Sequence, residues 1–111
     1  MMKQDDVLIA LTNHIGRKHG ARADVLVREI QRGHTCPACE RRLRKIITEL
    51  RLQGHHICAH PESGYYVAAD EKELDDTCVF LYERAMTSLR QIAQMKRIAL
   101  PDLRGQLKLP T

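Results

Sequence analysis

The feature that most constrains the fold of this chain is the segment from Pro37 to Gly54. Its apolar side chains recur at the spacing of one helix face, namely Leu43, Ile46, Ile47 and Leu50. Proline suits a first helical turn, where no amide donor is needed, and glycine suits the residue after a helix end. The pattern therefore predicts an amphipathic helix that buries one face.

The other side of this predicted helix is basic. A step of about 100° per residue places a polar set opposite or beside the apolar face. The set consists of Arg41, Arg42, Arg44, Lys45 and Thr48. A helix about 10–12 Å across fits a DNA major groove ~12 Å wide, where cations meet phosphates and guanine edges. The sequence favours DNA contact over the alternative, a solvated helix face without a nucleic-acid partner.

Shorter elements are predicted on both sides of this helix. Apolar spacing predicts a first helix from Asp5 to Lys18 and a second from Ala23 to Ile30. Two short strands, His55–His60 and Tyr65–Ala69, are predicted around a Pro-Glu-Ser-Gly turn. Neighbouring side chains of a strand point to opposite faces, so at least one of the two tyrosines is expected to cover the core.

A long helix is predicted after the hairpin. Five acidic residues between positions 70 and 76 suit a helix N-terminus, and the helix should run to about Ala99. Steps of four and three residues connect Leu74, Cys78, Leu81, Ala85, Ser88, Ile92, Met95 and Ala99. Such a seam packs on its own domain or on a second copy of the chain. The tail from Pro101 to Thr111 has no helical period, and is either a docked extension or a flexible arm.

Composition excludes several classes of protein. A chain of 111 residues fits one domain, and 43% hydrophobic with 29% charged residues matches neither a disordered nor a membrane protein. The longest apolar run, Val7 to Leu11, is far short of the ~20 residues that span a bilayer. The early charges at Lys3, Asp5 and Asp6 argue against a signal peptide. We expect a cytoplasmic protein without a membrane partner.

The positive charge is concentrated in the first half of the chain. Residues 1–60 contain eleven Lys or Arg and six Asp or Glu, whereas residues 61–111 contain seven and eight. The formal net charge of +4 therefore belongs to the half that contains the predicted basic helix. A bias of this kind suggests a polyanionic partner.

Cys36 and Cys39 have the spacing of a pair that can bind one zinc ion as thiolates. A tetrahedral site would need two more ligands, for which His34, Cys58 and His60 are the nearest candidates. Alternatively, the two side chains pack at the start of the third helix, or one of them caps it. Cytosolic thiols are kept reduced, so no disulfide is expected. No other cofactor is indicated.

The stretch 43–58 and the Gly-Tyr-Tyr-Val-Ala run at 64–68 resemble winged helix-turn-helix domains of bacterial and phage DNA-binding proteins. The closest likeness is to the biotin-repressor type, in which a Leu-Arg…Gly phrase ends the recognition helix and the wing ends in Gly-Tyr. The resemblance implies a mostly α fold with a small β-hairpin, three helices plus a wing, over residues 1–69. This domain would be followed by a helix at 70–99, which packs on the domain or dimerises, and by a tail at 100–111.

The resemblance also implies a function and a site. The helix at 38–53 would be the recognition helix, the hairpin at 55–69 the wing, and double-stranded DNA the partner of a transcriptional regulator or a phage or prophage accessory protein. The residues expected at the interface are Ala38, Arg41, Arg42, Arg44, Lys45, Thr48, His60 and Ser63. The alternative is a winged-helix adaptor that binds proteins through its C-terminal helix and tail.

An enzyme is not expected. The sequence has no glycine-rich phosphate loop, and its two serines, Ser63 and Ser88, lie in no nucleophile-elbow context. Asp75 and Asp76 are adjacent in a predicted helix, so their carboxylates point apart and do not share a proton or a metal.

Overall fold

The computed structural model describes residues 2–99. Over this range the protein is mostly helical, with four α-helices, a short 3-10 turn and one two-stranded antiparallel sheet. The elements are α1 (Gln4–Leu11), the 3-10 turn (Arg17–His19), α2 (Ala23–Gln31), α3 (Pro37–Leu52), β1 (Ile57–His60), β2 (Gly64–Val67) and α4 (Glu71–Ala99). The tail predicted at 100–111 lies outside the described residues.

The chain divides between Thr77 and Cys78 into two compact units, and the hydrophobic core belongs to the first. Helices α1, α2 and α3 pack pairwise around this core. Its fully buried side chains from the three helices are Val7, Leu11, Leu26, Val27, Leu43, Ile46, Ile47 and Leu50. The apolar face predicted for the third helix is therefore confirmed, and the opposite face of α3 is left for solvent or a ligand.

The prediction for the first helix was wrong at its C-terminal end. Helix α1 ends at Leu11 rather than Lys18. Ile15, which continued the apolar spacing, is 52% exposed and forms a parallel bridge with Val67 of β2. The amide of Gly16, at φ +89°, donates to the Val67 carbonyl (2.8 Å), and the Val67 amide donates to the His14 carbonyl (2.8 Å). Long-range backbone pairing overrides the local helical period here.

The hairpin is confirmed, with strands shorter than predicted. Strands β1 and β2 pair in antiparallel register from Ile57 opposite Val67 to His60 opposite Gly64. Tyr65 is half-buried and packs against the core, so one tyrosine covers the core as expected, whereas Tyr66, only 2% exposed, is buried outside the core cluster. Ala21 pairs with Tyr65 in both directions, with N···O distances of 2.9 and 2.7 Å. Residues between α1 and α2 thus cover the outer edge of β2.

This edge pairing depends on two glycines. Gly64 has φ +81°, and a Cβ atom there would overlap the carbonyl group of Ala21 and the amide nitrogen of Arg22. A Cβ atom at Gly20 would overlap the carbonyl oxygen of Ser63. Only glycine lets the two backbones approach this closely, so the hairpin and the α1–α2 connection are held as one piece.

Helix α4 begins as its acidic sequence predicts. The Asp70 carboxylate accepts a hydrogen bond from the Glu73 amide (2.9 Å) and so caps the helix. The Glu73 carboxylate accepts from the amides of Ala69 (2.9 Å) and Arg17 (3.1 Å). These contacts fix the first turn of α4 beside the 3-10 turn. Within residues 2–99, none of the helices is both long and apolar enough to cross a lipid bilayer.

Candidate nucleic-acid interface

A tight turn places α3 after α2. Helix α2 ends at Gln31, Arg32 adopts a left-handed conformation (φ 57°, ψ 58°), and Gly33 (φ +109°) donates its amide to the Arg28 carbonyl (2.9 Å). This is a Schellman-like ending, which satisfies a carbonyl at the end of α2 and reverses the chain. Because α3 then buries its apolar face, its orientation relative to α2 is fixed.

The outer face of α3 is exposed and basic. Its exposed side chains are Pro37, Ala38, Arg41, Arg44, Lys45, Thr48 and Leu52. Within the part of the chain that the structure describes, Arg41 and Lys45 form no hydrogen bond or ion pair with another side chain. Two cations that are not neutralised by protein groups are therefore available to an anionic ligand.

The two carboxylates of α3 flank this face rather than lie at its centre. Glu40 accepts a hydrogen bond from the Thr35 hydroxyl (3.0 Å) and lies 3.8 Å from the Arg44 guanidinium. Glu49 accepts from the side-chain amide of Gln4 in α1 (3.3 Å). By helical position neither carboxylate lies between Arg41 and Lys45, so these two residues keep their positive charge, whereas Glu40 partly offsets that of Arg44.

Two residues predicted for the interface have competing contacts. Arg42 is half-buried, and its Nε donates to the backbone carbonyl of Met2 (3.3 Å). The Thr48 hydroxyl donates to the Arg44 carbonyl one turn earlier (3.1 Å). Arg42 thus joins α3 to the N-terminal segment at the edge of the face, and Thr48 offers a ligand its oxygen lone pairs rather than its proton.

The 3-10 turn places a cation that the sequence did not predict, Arg17, beside the hairpin. His60 is half-buried, and Nη2 of Arg17 donates to its Nε2 (2.7 Å). Ser63 is half-buried beside Gly20, which leaves Pro61 and Glu62 exposed at the turn. Arg17 was missed by the sequence analysis because its contact with His60 spans 43 positions. The one signal was the basic run at 17–19, which lay inside a helix predicted too long.

The cysteine pair corrects a prediction. Cys36 and Cys39 form a disulfide, with a Cα–Cα distance of 5.0 Å, although reduced thiols were expected. The reason is helix geometry: Cys36 is the N-cap residue of α3 and Cys39 is the third helical residue, and side chains at these positions face each other.

The zinc alternative for Cys36 and Cys39 requires the reduced form of this pair. Both sulfur atoms are used in the bond between them, so neither is a thiolate ligand in this structure. Residues 2–99 also contain no group of three or more His, Cys, Asp or Glu side chains placed to hold a metal ion. The other alternative is supported, because the Cys36 sulfur accepts a hydrogen bond from the Cys39 amide (3.0 Å) and caps α3.

A pair of variants isolates this cap from the disulfide. Both Cys36→Ser/Cys39→Ala and Cys36→Ala/Cys39→Ala lack the disulfide, but only the serine variant keeps an acceptor for the residue 39 amide. We expect the serine variant to be more stable by about 1 kcal/mol in urea unfolding. Equal midpoints for the two variants would show that residue 36 contributes no cap.

An ion pair joins the α1–α2 connection to α2. His14 donates through Nδ1 to the His19 carbonyl (2.7 Å) and through Nε2 to the Glu29 carboxylate (2.9 Å). Both nitrogens donate only in the imidazolium form. Burial lowers the pKa of His14, but the hydrogen bonds to Glu29 and His19 and the charge of Glu29 outweigh it, so the pKa is raised above 6.5.

This raised pKa makes the stability of the fold depend on pH. The contribution of the His14–Glu29 pair is fully present below pH 6.5 and is lost as pH rises through the higher pKa of the folded state. NMR titration of the His14 ring should show the raised pKa in the wild type and a lower one in Glu29→Gln. Glu62→Gln, at the exposed hairpin turn, should leave the titration unchanged. An identical titration in Glu29→Gln would contradict the assignment.

Comparison with known proteins identifies no relative: the chain matches no family model, no curated protein and no solved structure. Its function is therefore inferred from the geometry of the described residues. The strongest feature is the outer face of α3, where Arg41 and Lys45 lie one turn apart on a helix whose opposite face is fully buried.

Proposed function

We propose that this chain binds double-stranded DNA through the outer face of α3 and the β1–β2 hairpin, as a winged helix-turn-helix domain. The observation that carries the proposal is an exposed helix face with Arg41, Arg44 and Lys45 and without a carboxylate, on a helix fixed by four buried side chains. Such a face is shaped and charged for a major groove.

The surrounding architecture supports a winged arrangement. Two helices and a tight turn precede α3, and a hairpin follows it directly. The Arg51 Nε donates to the Ile57 carbonyl (2.7 Å), which attaches the start of β1 to the end of α3. The α1–α2 connection pairs with β2 at Ile15 and Ala21, so the hairpin is braced against the helices. A braced hairpin can keep Arg17 at a fixed position beside a DNA backbone.

The residues divide into two roles. Arg44 and Arg17 suit phosphate contacts, because charge alone is needed there. Arg41 and Lys45, near the centre of the outer face, suit contacts with guanine O6 and N7, and Ala38 suits contact with a thymine methyl group. Phosphate contacts should dominate the affinity for arbitrary sequences and make it fall with salt.

Fluorescence anisotropy with a labelled random duplex, measured across a salt series, tests this function on the wild-type chain. We expect binding at low salt, with log Kd rising linearly with log salt concentration, because each phosphate contact releases counterions. The single strand of the same length serves as the control and should bind more weakly, since it offers no major groove. Absence of duplex binding at low salt would disprove the proposal.

A further inference from the structure

Helix α4 beyond the first unit exposes large apolar side chains. Val79, Tyr82 and Leu89 are 54%, 66% and 44% exposed. The half-buried Met86 lies between Tyr82 and Leu89, and the half-buried Ala93 follows Leu89. These five residues follow each other in steps of three and four, the spacing of a coiled-coil seam. We call them the α4 seam. It runs beside the stripe predicted from the sequence, in which Cys78, Leu81 and Met95 are also exposed.

The charges of α4 are segregated along its length. Residues 71–83 contain five carboxylates and one lysine, and residues 84–99 contain four cations and no carboxylate. One flank of the seam shows this most clearly, because charged residues recur on it every seven positions. In chain order they are Asp76, Glu83, Arg90 and Arg97.

This order of charges favours a second copy of the same helix in antiparallel orientation. A two-fold axis between residues 86 and 87 places Glu83 opposite Arg90 of a second copy, and Asp76 opposite Arg97 of that copy. Both contacts then occur twice by symmetry. A parallel pair would instead place the acidic half of each helix beside the acidic half of the other, which is repulsive.

We propose that two copies of this chain associate through their α4 seams in antiparallel orientation, with the Asp76, Glu83, Arg90 and Arg97 flank as the element that sets the orientation. The inference is independent of DNA binding, since it uses no residue of α3 or the hairpin. Within residues 2–99, Glu83, Arg90 and Arg97 form no ion pair, and Asp76 contacts only Lys72, four residues earlier (3.1 Å). The flank is thus available to a second copy.

Sedimentation equilibrium of the full chain tests association and charge pairing together. We expect a dimer whose dissociation constant rises about ten-fold or more in Glu83→Arg and in Arg90→Glu. Each single change places like charges opposite each other at both of the symmetric contacts. The double variant Glu83→Arg/Arg90→Glu restores opposite charges and should recover the dimer. Recovery shows that the pairing of the two charges, rather than either residue alone, determines association.

The orientation is tested with a nitroxide on the native Cys78, which is exposed, whereas Cys58 is buried and Cys36 and Cys39 are bonded to each other. In the antiparallel pair residue 78 lies opposite residue 95 of the other copy. Pulsed EPR should therefore give a distance of roughly 25–30 Å, against roughly 10–15 Å for a parallel pair.

Three results would overturn this proposal. The first is a monomer at all concentrations, and the second is the short spin–spin distance. The third is a dimer insensitive to both single charge reversals but lost on deletion of residues 100–111, which would make the tail the occupant of the seam.

Discussion

Replacing Arg41 and Lys45 together by alanine is expected to weaken duplex DNA binding at least about ten-fold at moderate salt. The slope of log Kd against log salt concentration should also fall by about two on a random duplex, because the two cations then pair mainly with phosphates and each lost phosphate contact removes roughly 0.9 from the slope. Both side chains are exposed on α3 and form no contact that stabilises the fold, so the variant should unfold at the wild-type temperature. Anisotropy across a salt series measures both quantities.

A variant with the same change in net charge provides the control. Arg28 and Lys72 are exposed cations that pair within their own helices with Asp24 (3.0 Å) and Asp76 (3.1 Å). Arg28→Ala/Lys72→Ala should therefore keep most of the affinity. Equal losses in the two variants would show attraction to the whole charge of the protein rather than contact at α3. Unchanged binding in Arg41→Ala/Lys45→Ala would rule out this face as the interface.

The second large effect concerns folding. Gly64→Ala is expected to lower the free energy of unfolding by about 3 kcal/mol or more, and the melting temperature by roughly 10 °C or more. An alanine at position 64 would have to adopt a left-handed backbone conformation, and its methyl group would overlap the backbone of Ala21 and Arg22. Since that backbone pairs with β2, the overlap cannot be relieved by rotating a side chain. Thermal unfolding followed by circular dichroism measures the loss.

Gly54→Ala separates conformational strain from the steric overlap. Gly54 also has a positive φ, +98°, but a Cβ atom there would meet nothing within 4 Å. We expect it to cost about 1 kcal/mol, the ordinary penalty of a left-handed residue with a side chain. If Gly64→Ala cost no more than Gly54→Ala, the close approach of the hairpin to the α1–α2 connection would not contribute to stability.

Local patterns predicted the elements that depend on neighbouring residues. The apolar period of α3 gave its buried face, and Pro37 and Gly54 placed its limits within two residues of the observed ones. The acidic run before α4 gave its start at Glu71, because helix capping needs only residues of the same turn. The exposure of Arg41 and Lys45 follows from the same period.

Long-range contacts account for what the sequence did not predict. Ile15 continues the period of α1, but it lies beyond the end of the helix at Leu11 and bridges to Val67. The placement of Arg17 beside His60 and the contact of Arg42 with Met2 likewise join distant positions. The Cys36–Cys39 bond was missed for another reason, because helix geometry brings the N-cap residue and the third helical residue together whatever the cellular compartment.

The bridges at Ile15 and Ala21 also determine how the first unit must assemble. Helix α1 and the residues just before it also contact α3 across forty or more positions, as at Met2 and Arg42 or at Gln4 and Glu49, so the helical core itself requires long loop closures. The hairpin can close on the α1–α2 connection only when residues more than forty positions apart meet, and loop closure of that kind is slow. A fragment cut before Gly64 would leave the amide and carbonyl of Ala21 without their partners on Tyr65. The three helices and the hairpin therefore constitute one cooperative folding unit, and α2 and α3 cannot be excised from it intact.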